Sequence, residues 1–355
     1  MEAKVVDFLK RLVEAPSPSG FEQPAQRVWA NYVRTFADEV KTDVHGNTVA
    51  VLNPRGKPRV MFCGHCDEIG FMVNYIDEQG FIYFRAIGGV DPSLLPGQRL
   101  VVYHRNNKVI GVVGKKAIHL MEEEERKAAG SPKIHSLWLD IGVAKRAEAE
   151  KLVSIGDPIT FAVGFERLQN DLAVSRGFDD KMGSFVVAET LRYLKRMKPK
   201  AAVFGVSTVQ EEIGSRGAKT SAYGIDPDVG VAIDVTHASD YPDCNKKRTG
   251  EIKLGKGPAI SRGANINPMV FEMLTETARA KKIPHQIEAA PGATGTDANV
   301  IQVNRAGVAT GLVSVPNRYM HTPVEVINLA DLENTAKLLA HFTMKVTPRV
   351  SFIPA

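Results

Sequence analysis

Apolar residues along this chain alternate between a helical and a strand period, and the changes of period mark the elements. Val5, Phe8, Leu9, Leu12 and Val13 recur at helical spacing and predict a helix over 5–14. Ala15-Pro16-Ser17-Pro18-Ser19-Gly20 breaks it, and a second helix is expected over 23–36. Strand-like runs follow at 39–43, at 48–52 across a His45-Gly46-Asn47 turn, and at 59–63. From Phe71 to Phe165 the texture becomes short alternating segments such as 81–85, 99–103 and 109–113, parted by Gly-Gly, Pro-Gly and Asn-Asn turns. A charge run within it, from Glu122 to Lys127, reads as a solvated loop or helical turn.

Longer helices and fully apolar strands then return. A helix is expected over 182–198, a strand over 203–209 running into Glu211-Glu212, and a strand over 229–233 running into Asp234. A helix over 267–281, a strand over 311–316 leading toward His321, and a last helix over 329–346 complete the chain. Strands alternating with helices imply an α/β fold with a mixed, mainly parallel sheet flanked by helices. The change of texture divides it into a catalytic domain, 1–70 and 166–355, and an inserted β-rich domain, 71–165. No internal repeat or low-complexity segment is present.

Composition narrows the function. With 45 basic and 40 acidic residues the net charge is only +5, and no basic tract with interleaved aromatics exists, so nucleic acid is not an expected partner. Lys246-Lys247-Arg248 reads as a solvated loop. Without about 18 consecutive apolar residues no membrane span is expected. The amphipathic N-terminus carries acids and is unlike a secretory signal. Three cysteines do not make a disulfide framework, and the Cys63-x-x-Cys66 pair lacks the second pair that a structural zinc site needs. A reduced, cytoplasmic protein is expected.

The candidate chemistry lies at strand ends, where an open α/β sheet collects its functional groups. His65 and Asp67 follow one apolar run, Glu211-Glu212 another and Asp234 a third. Asp179-Asp180 and His321 stand in neighbouring loops. Two imidazoles with several carboxylates form the ligand set of a hydrolytic zinc or cobalt centre with two metals. In Glu211-Glu212 one acid can bind metal while the other acts as base. Asp67, two residues from His65, can orient a ligating imidazole. Asp179 or Asp180 can bridge two cations, and either can cap the helix that follows. Gly295-Thr296-Asp297-Ala298 lacks a Walker lysine, so Thr296 or Asp297 is expected to cap a helix.

Taken in order, Gly64-His65-Cys66-Asp67-Glu68, Gly177-Phe178-Asp179-Asp180-Lys181, Val209-Gln210-Glu211-Glu212-Ile213-Gly214, Asp234-Val235-Thr236-His237, Gly295-Thr296-Asp297 and Arg318-Tyr319-Met320-His321-Thr322-Pro323 resemble the tetrahedral, or glutamyl-deblocking, aminopeptidase family of two-metal peptidases. Some members of that family carry an endoglucanase label. The resemblance spans nearly the whole chain. It implies a zinc-peptidase-like domain with a PDZ-like barrel inserted, acting on N-terminal residues of peptides. It implies His65, Asp179, Glu212, Asp234 and His321 as metal ligands, with Asp179 bridging two zinc or cobalt ions. It also implies Glu211 as general base on a metal-activated water, Asp67 as partner of His65, and assembly into hollow homo-dodecamers. A related metal-dependent deacylase or carboxypeptidase is the nearest alternative. An endo-β-1,4-glucanase, which would use two carboxylates without metal, is the more distant one.

Overall fold

The computed structural model describes residues 1–124 and 130–354, so Glu125, Arg126 and Lys127 of the charge run lie outside the described residues. The chain divides into two compact units: Met1–Asp67, Gly164–Met320 and Val324–Ala355 form the larger, and Glu68–Val163 with His321–Pro323 the smaller.

Chain order supplies three strands of the larger unit, β1 (Glu39–Thr42), β2 (Thr48–Leu52) and β3 (Arg59–His65). The smaller unit follows with β4 (Gly70–Ile76), β5 (Ile82–Ile87), β6 (Arg99–His104), β7 (Asn107–Gly114), β8 (Trp138–Asp140) and β9 (Pro158–Phe161). The chain then returns through β10 (Glu166–Arg167), β11 (Leu172–Ser175), β12 (Ala202–Thr208) and β13 (Val229–His237). It ends with β14 (Ala259–Gly263), β15 (Gln286–Ala290), β16 (Ala309–Arg318) and β17 (Glu325–Asn328).

In the larger unit these build one mixed sheet in the order β1-β2-β12-β3-β13-β16-β17-β11-β10, with β14 and β15 attached beside β16. Its centre, β12-β3-β13-β16, is parallel, and its flanks are antiparallel. The central strands are largely apolar because both faces are covered, so no solvent face asks for polar alternation. Val60 and Phe62 point into one apolar layer, Met61 and Cys63 into the other, as the two-residue period requires. On the first face the helix Phe178–Met197 packs on β3, β12 and β13, with Leu329–Lys345 against it. The helix Ala3–Glu14 joins this layer through Val5, Phe8, Leu9, Leu12 and Val13, all buried. Phe8 stacks on Tyr32 at 3.8 Å and on Phe185 at 5.5 Å. Each fully buried Leu or Phe of that stripe contributes about 1.5–3 kcal/mol.

The smaller unit is a closed antiparallel barrel, β4-β5-β8-β7-β6-β9. Closure removes the unpaired strand edges that six short strands would otherwise expose. Its core centres on Phe71, which meets Phe84 and Phe161 edge-on at 5.2 and 5.4 Å.

Parallel pairing of β3 with β12 and β13 places their C-terminal ends side by side, with Thr208 opposite His65. The fit there is tight: Gly64 lies against the backbone of Gly183 and Ser184, where no Cβ has room. Ser184 Oγ donates to the Gly64 carbonyl at 2.8 Å across the same contact. Gly64→Ala is therefore expected to lower stability by about 1–3 kcal/mol, because backbone rather than a flexible side chain must give way. Thermal denaturation reads this, and an unchanged melting temperature would contradict it.

Candidate metal centre

His65 is the last residue of β3 and is 1 % exposed. Its Nδ1 lies 3.1 Å from the Asp67 carbonyl and 3.4 Å from the Asp67 carboxylate. Its Nε2 faces Asp179 Oδ1 at 3.3 Å and Glu211 Oε2 at 3.7 Å. Asp234, within β13, completes a buried group: one ligand atom each from His65, Asp179 and Asp234 lie within 4.8 Å of one another. A carboxylate oxygen of Glu212 lies within the same distance of one from Asp179. His321 stands in the segment 321–323 that groups with the barrel unit; its Nδ1 is 2.9 Å from the Gly89 carbonyl oxygen.

Local backbone sets these positions. Asp179 (φ −74°, ψ 109°) and Asp180 (φ −120°, ψ 35°) are not helical, so the regular helix begins after them. The peptide between them is cis. The two acids divide their work. Asp180 accepts the Gly183 N–H and the His65 N–H, both at 3.1 Å, and so takes the capping part. Asp179 turns toward His65. After β12 the chain turns at Gln210 (φ 58°), and Glu212 lies in a turn closed by the Gly214 N–H on the Glu211 carbonyl. Both glutamates thus lie in a turn and not in an extended strand.

Asp67 ties these pieces together. Its carboxylate accepts the backbone N–H of Glu211 at 3.0 Å and of Glu212 at 3.1 Å, and the Ser19 hydroxyl at 2.7 Å. Burial would push its pKa up, but hydrogen bonds from His65 and Ser19 outweigh that and hold it below the ordinary value. Burial also disfavours a charged His65, yet the Asp179 and Asp67 carboxylates hold that ring well above its usual range. Burial pushes Asp180 and Asp234 well above the ordinary carboxylate range, with repulsion from neighbouring acids adding to it. Glu211 is raised by burial and by the Asp67 and Asp179 charges.

Two residues that contact the site were given no place in it by the sequence reading. Ser19 lies in a Pro/Ser/Gly loop that reads only as a helix breaker. Asp297 does not cap the short helix Ala298–Ile301; the Thr296 hydroxyl accepts the Ala298 N–H instead. The Asp297 carboxylate accepts the Thr208 hydroxyl at 2.6 Å, and burial with the Glu211 charge raises its pKa to about 7. His237 is exposed at the end of β13, and Asp240 is paired with Arg318.

The donor set fits a divalent metal. Buried acids outnumber the single imidazole among them, and uncompensated buried charge is costly. The buried Lys181 and Arg176 donate to the Val13, Glu14 and Ala15 carbonyls at the end of the first helix. Nitrogen and oxygen donors of this kind suit zinc, cobalt and their neighbours.

The comparisons with known proteins place this α/β chain among the peptide hydrolases. Residues 46–338 match the model of the M42 glutamyl aminopeptidase family, and the chain belongs to that family. It is 38% identical to the lysyl aminopeptidase of Pyrococcus furiosus over 98% of this chain and 99% of the relative. The TET aminopeptidase of the marine sediment archaeon Thaumarchaeota archaeon SCGC AB-539-E09 superposes with a TM-score of 0.92 at 34% identity, covering 97% and 96% of the two chains. The TET1 peptidase of Pyrococcus horikoshii, which can assemble into a tetrahedron or a large octahedral shell, gives 0.86 at 31% identity, covering 96% and 100%.

The crowded acids make a pH prediction for metal-free protein. Asp297 and Glu22 both have pKa values raised to about 7, mainly by burial. A carboxyl raised in the folded state adds stability below its unfolded value of about 4, and that stability is lost as pH rises through about 7. Chelator-treated protein is therefore expected to melt at a higher temperature at pH 6 than at pH 8. Asp297→Asn and Glu22→Gln together should flatten the difference. A melting temperature that falls on acidification to pH 6 would contradict this.

Proposed function

We propose that the protein is a metal-dependent aminopeptidase that removes N-terminal residues from peptides, with two divalent ions in this site. The observation that carries the reading is the convergence of His65, Asp179 and Asp234 beside Glu211 in a buried, acid-rich cluster. Asp179 faces His65 and Asp234 on one side and Glu212 on the other, which supports it as the bridge. His321 is assigned a place on the second ion from its ligand type and the family resemblance.

A metal pair held by these residues supplies Lewis acidity toward a peptide carbonyl and a water molecule. The rest is the work of the chain. Ser215 Oγ donates to Glu211 Oε1 at 3.1 Å, leaving Oε2 turned to the His65 side. Glu211, with its raised pKa, takes a proton from water and returns it to the leaving amine. Asp67 orients His65 and holds the backbone of both glutamates. The free N-terminal amine of the substrate is cationic and is drawn to the surplus of acids, which makes the enzyme an exopeptidase. A deacylase or carboxypeptidase would instead need a group that reads an acyl chain or a C-terminal carboxylate.

Zinc and cobalt are the proposed metals. The catalytic domain is assigned to 1–70 and 166–355 and the barrel, 71–165, to assembly. A homo-dodecamer in the cytoplasm is proposed on the family resemblance. Among the described residues no helix is long and apolar enough to cross a membrane.

Three outcomes are expected. Glu211→Gln should lower kcat on unblocked aminoacyl substrates by about 10²–10⁴-fold while bound metal, measured by elemental analysis, is unchanged. Normal turnover in that variant would remove Glu211 as base. Asp67→Asn should weaken metal affinity by about 10–100-fold, read by competition with a chromogenic chelator; unchanged affinity would leave Asp67 without its orienting role. Loading should fall with acidification, since the ligands must lose protons to bind. Calorimetry in buffers of different ionisation heat should register proton release on loading, and proton-neutral binding would contradict the ligand set.

A further inference from the structure

The strand pair β14–β15, absent from the sequence-based expectation, brings one more acid to the end of β13. Ser261 on β14 stands directly opposite Glu288 on β15. Glu288 Oε1 accepts the Thr236 hydroxyl at 2.5 Å, and Oε2 lies 3.3 Å from the Ser261 hydroxyl. Thr236 follows Asp234 by two residues on β13, so the two side chains share a face of the sheet about 7 Å apart along the strand. Through Thr236, the Glu288 carboxylate is thus fixed one strand repeat beyond a proposed metal ligand. It is half-buried, and no Lys, Arg or His pairs with it among the described residues.

The neighbouring cations are committed elsewhere. Arg318 is bound through two nitrogens to Asp240, at 2.8 and 2.9 Å. Arg262 follows Ser261 and so points to the opposite face of β14, where its guanidinium lies over the Phe271 ring at 5.4 Å. Lys256 is exposed in the loop before β14. The fixed charge on this face is therefore negative. A half-buried carboxylate held only by two hydroxyls gains from a cationic partner. A lysine carries its ammonium on a four-carbon stem, long enough to reach one strand repeat from a scissile bond held at Asp234.

Resting on the aminopeptidase reading above, we infer that Glu288, held by Thr236 and Ser261, is the specificity residue that selects a basic N-terminal residue, Lys or Arg, in the substrate. A glutamyl or aspartyl N-terminus meets repulsion there. A leucyl N-terminus leaves the carboxylate without a partner.

The experiment compares metal-loaded parent, Glu288→Gln and Glu288→Lys on lysyl, arginyl, leucyl and glutamyl 4-nitroanilides. The parent is expected to favour lysyl and arginyl substrates. Glu288→Gln should lower kcat/KM for these by at least about tenfold while changing the leucyl value by less than about threefold. Glu288→Lys should move preference toward glutamyl. In a second arm, calorimetry measures binding of Lys-Ala-Ala, Leu-Ala-Ala and Glu-Ala-Ala to metal-loaded Glu211→Gln, with and without Glu288→Gln. Preference for Lys-Ala-Ala that disappears with Glu288→Gln supports the inference even where no peptide is cleaved. That second result would overturn the aminopeptidase reading alone. Equal loss on all substrates in Glu288→Gln, or a parent that favours leucyl or glutamyl N-termini in both arms, would overturn the inference while leaving aminopeptidase activity in place.

Discussion

Everything at the centre of this protein depends on the cost of burying like charges together. Asp67, Asp179, Asp180, Asp234 and Asp297 are each no more than 6 % exposed, and one imidazole lies among them. The interior does not tolerate such a set without compensation. Two kinds of compensation are present. Asp67 and Asp180 receive backbone N–H groups and act as mortar between strand ends and helix start. Asp179 and Asp234 lie with His65 in a group spaced for a cation. The same feature that threatens the fold thus defines the site.

The sheet makes this crowding possible. The parallel strands bring Asp67 and Glu211, in the loops after β3 and β12, to the same place as Asp234 within β13. Close backbone contact at Gly64 lets the Asp179-Asp180 segment approach His65. The N-terminal loop closes the arrangement from below through Ser17 on the Cys66 carbonyl and Ser19 on Asp67. Arg176 and Lys181 grip the end of the first helix, so that loop is held at both ends.

Much of this was legible in the sequence because central parallel strands are unbroken apolar runs. Their ends at His65, Glu211 and Asp234 stand out against the runs themselves. The stripe from Val5 to Val13 and the final helix were equally clear, since one helical face is apolar. What escaped detection depends on contacts between distant residues. β14 and β15 are short and mixed in character, and in β15 Ile287 is exposed while Gln286 and Glu288 are half-buried, so hydropathy does not mark its faces. Asp297 read as a cap because its true partner, Thr208, is far away in sequence. Ser19 gave no signal because its role depends on Asp67. The different directions of Glu211 and Glu212 come from the turn at Gln210, which the apolar run before them does not mark.

The most direct test of the central claim is metal stoichiometry by native mass spectrometry. The account predicts two divalent ions per chain, both lost in Asp179→Ala because one carboxylate serves both, and one retained in His65→Ala. Full occupancy in Asp179→Ala, or a parent chain that binds no divalent ion, would contradict it.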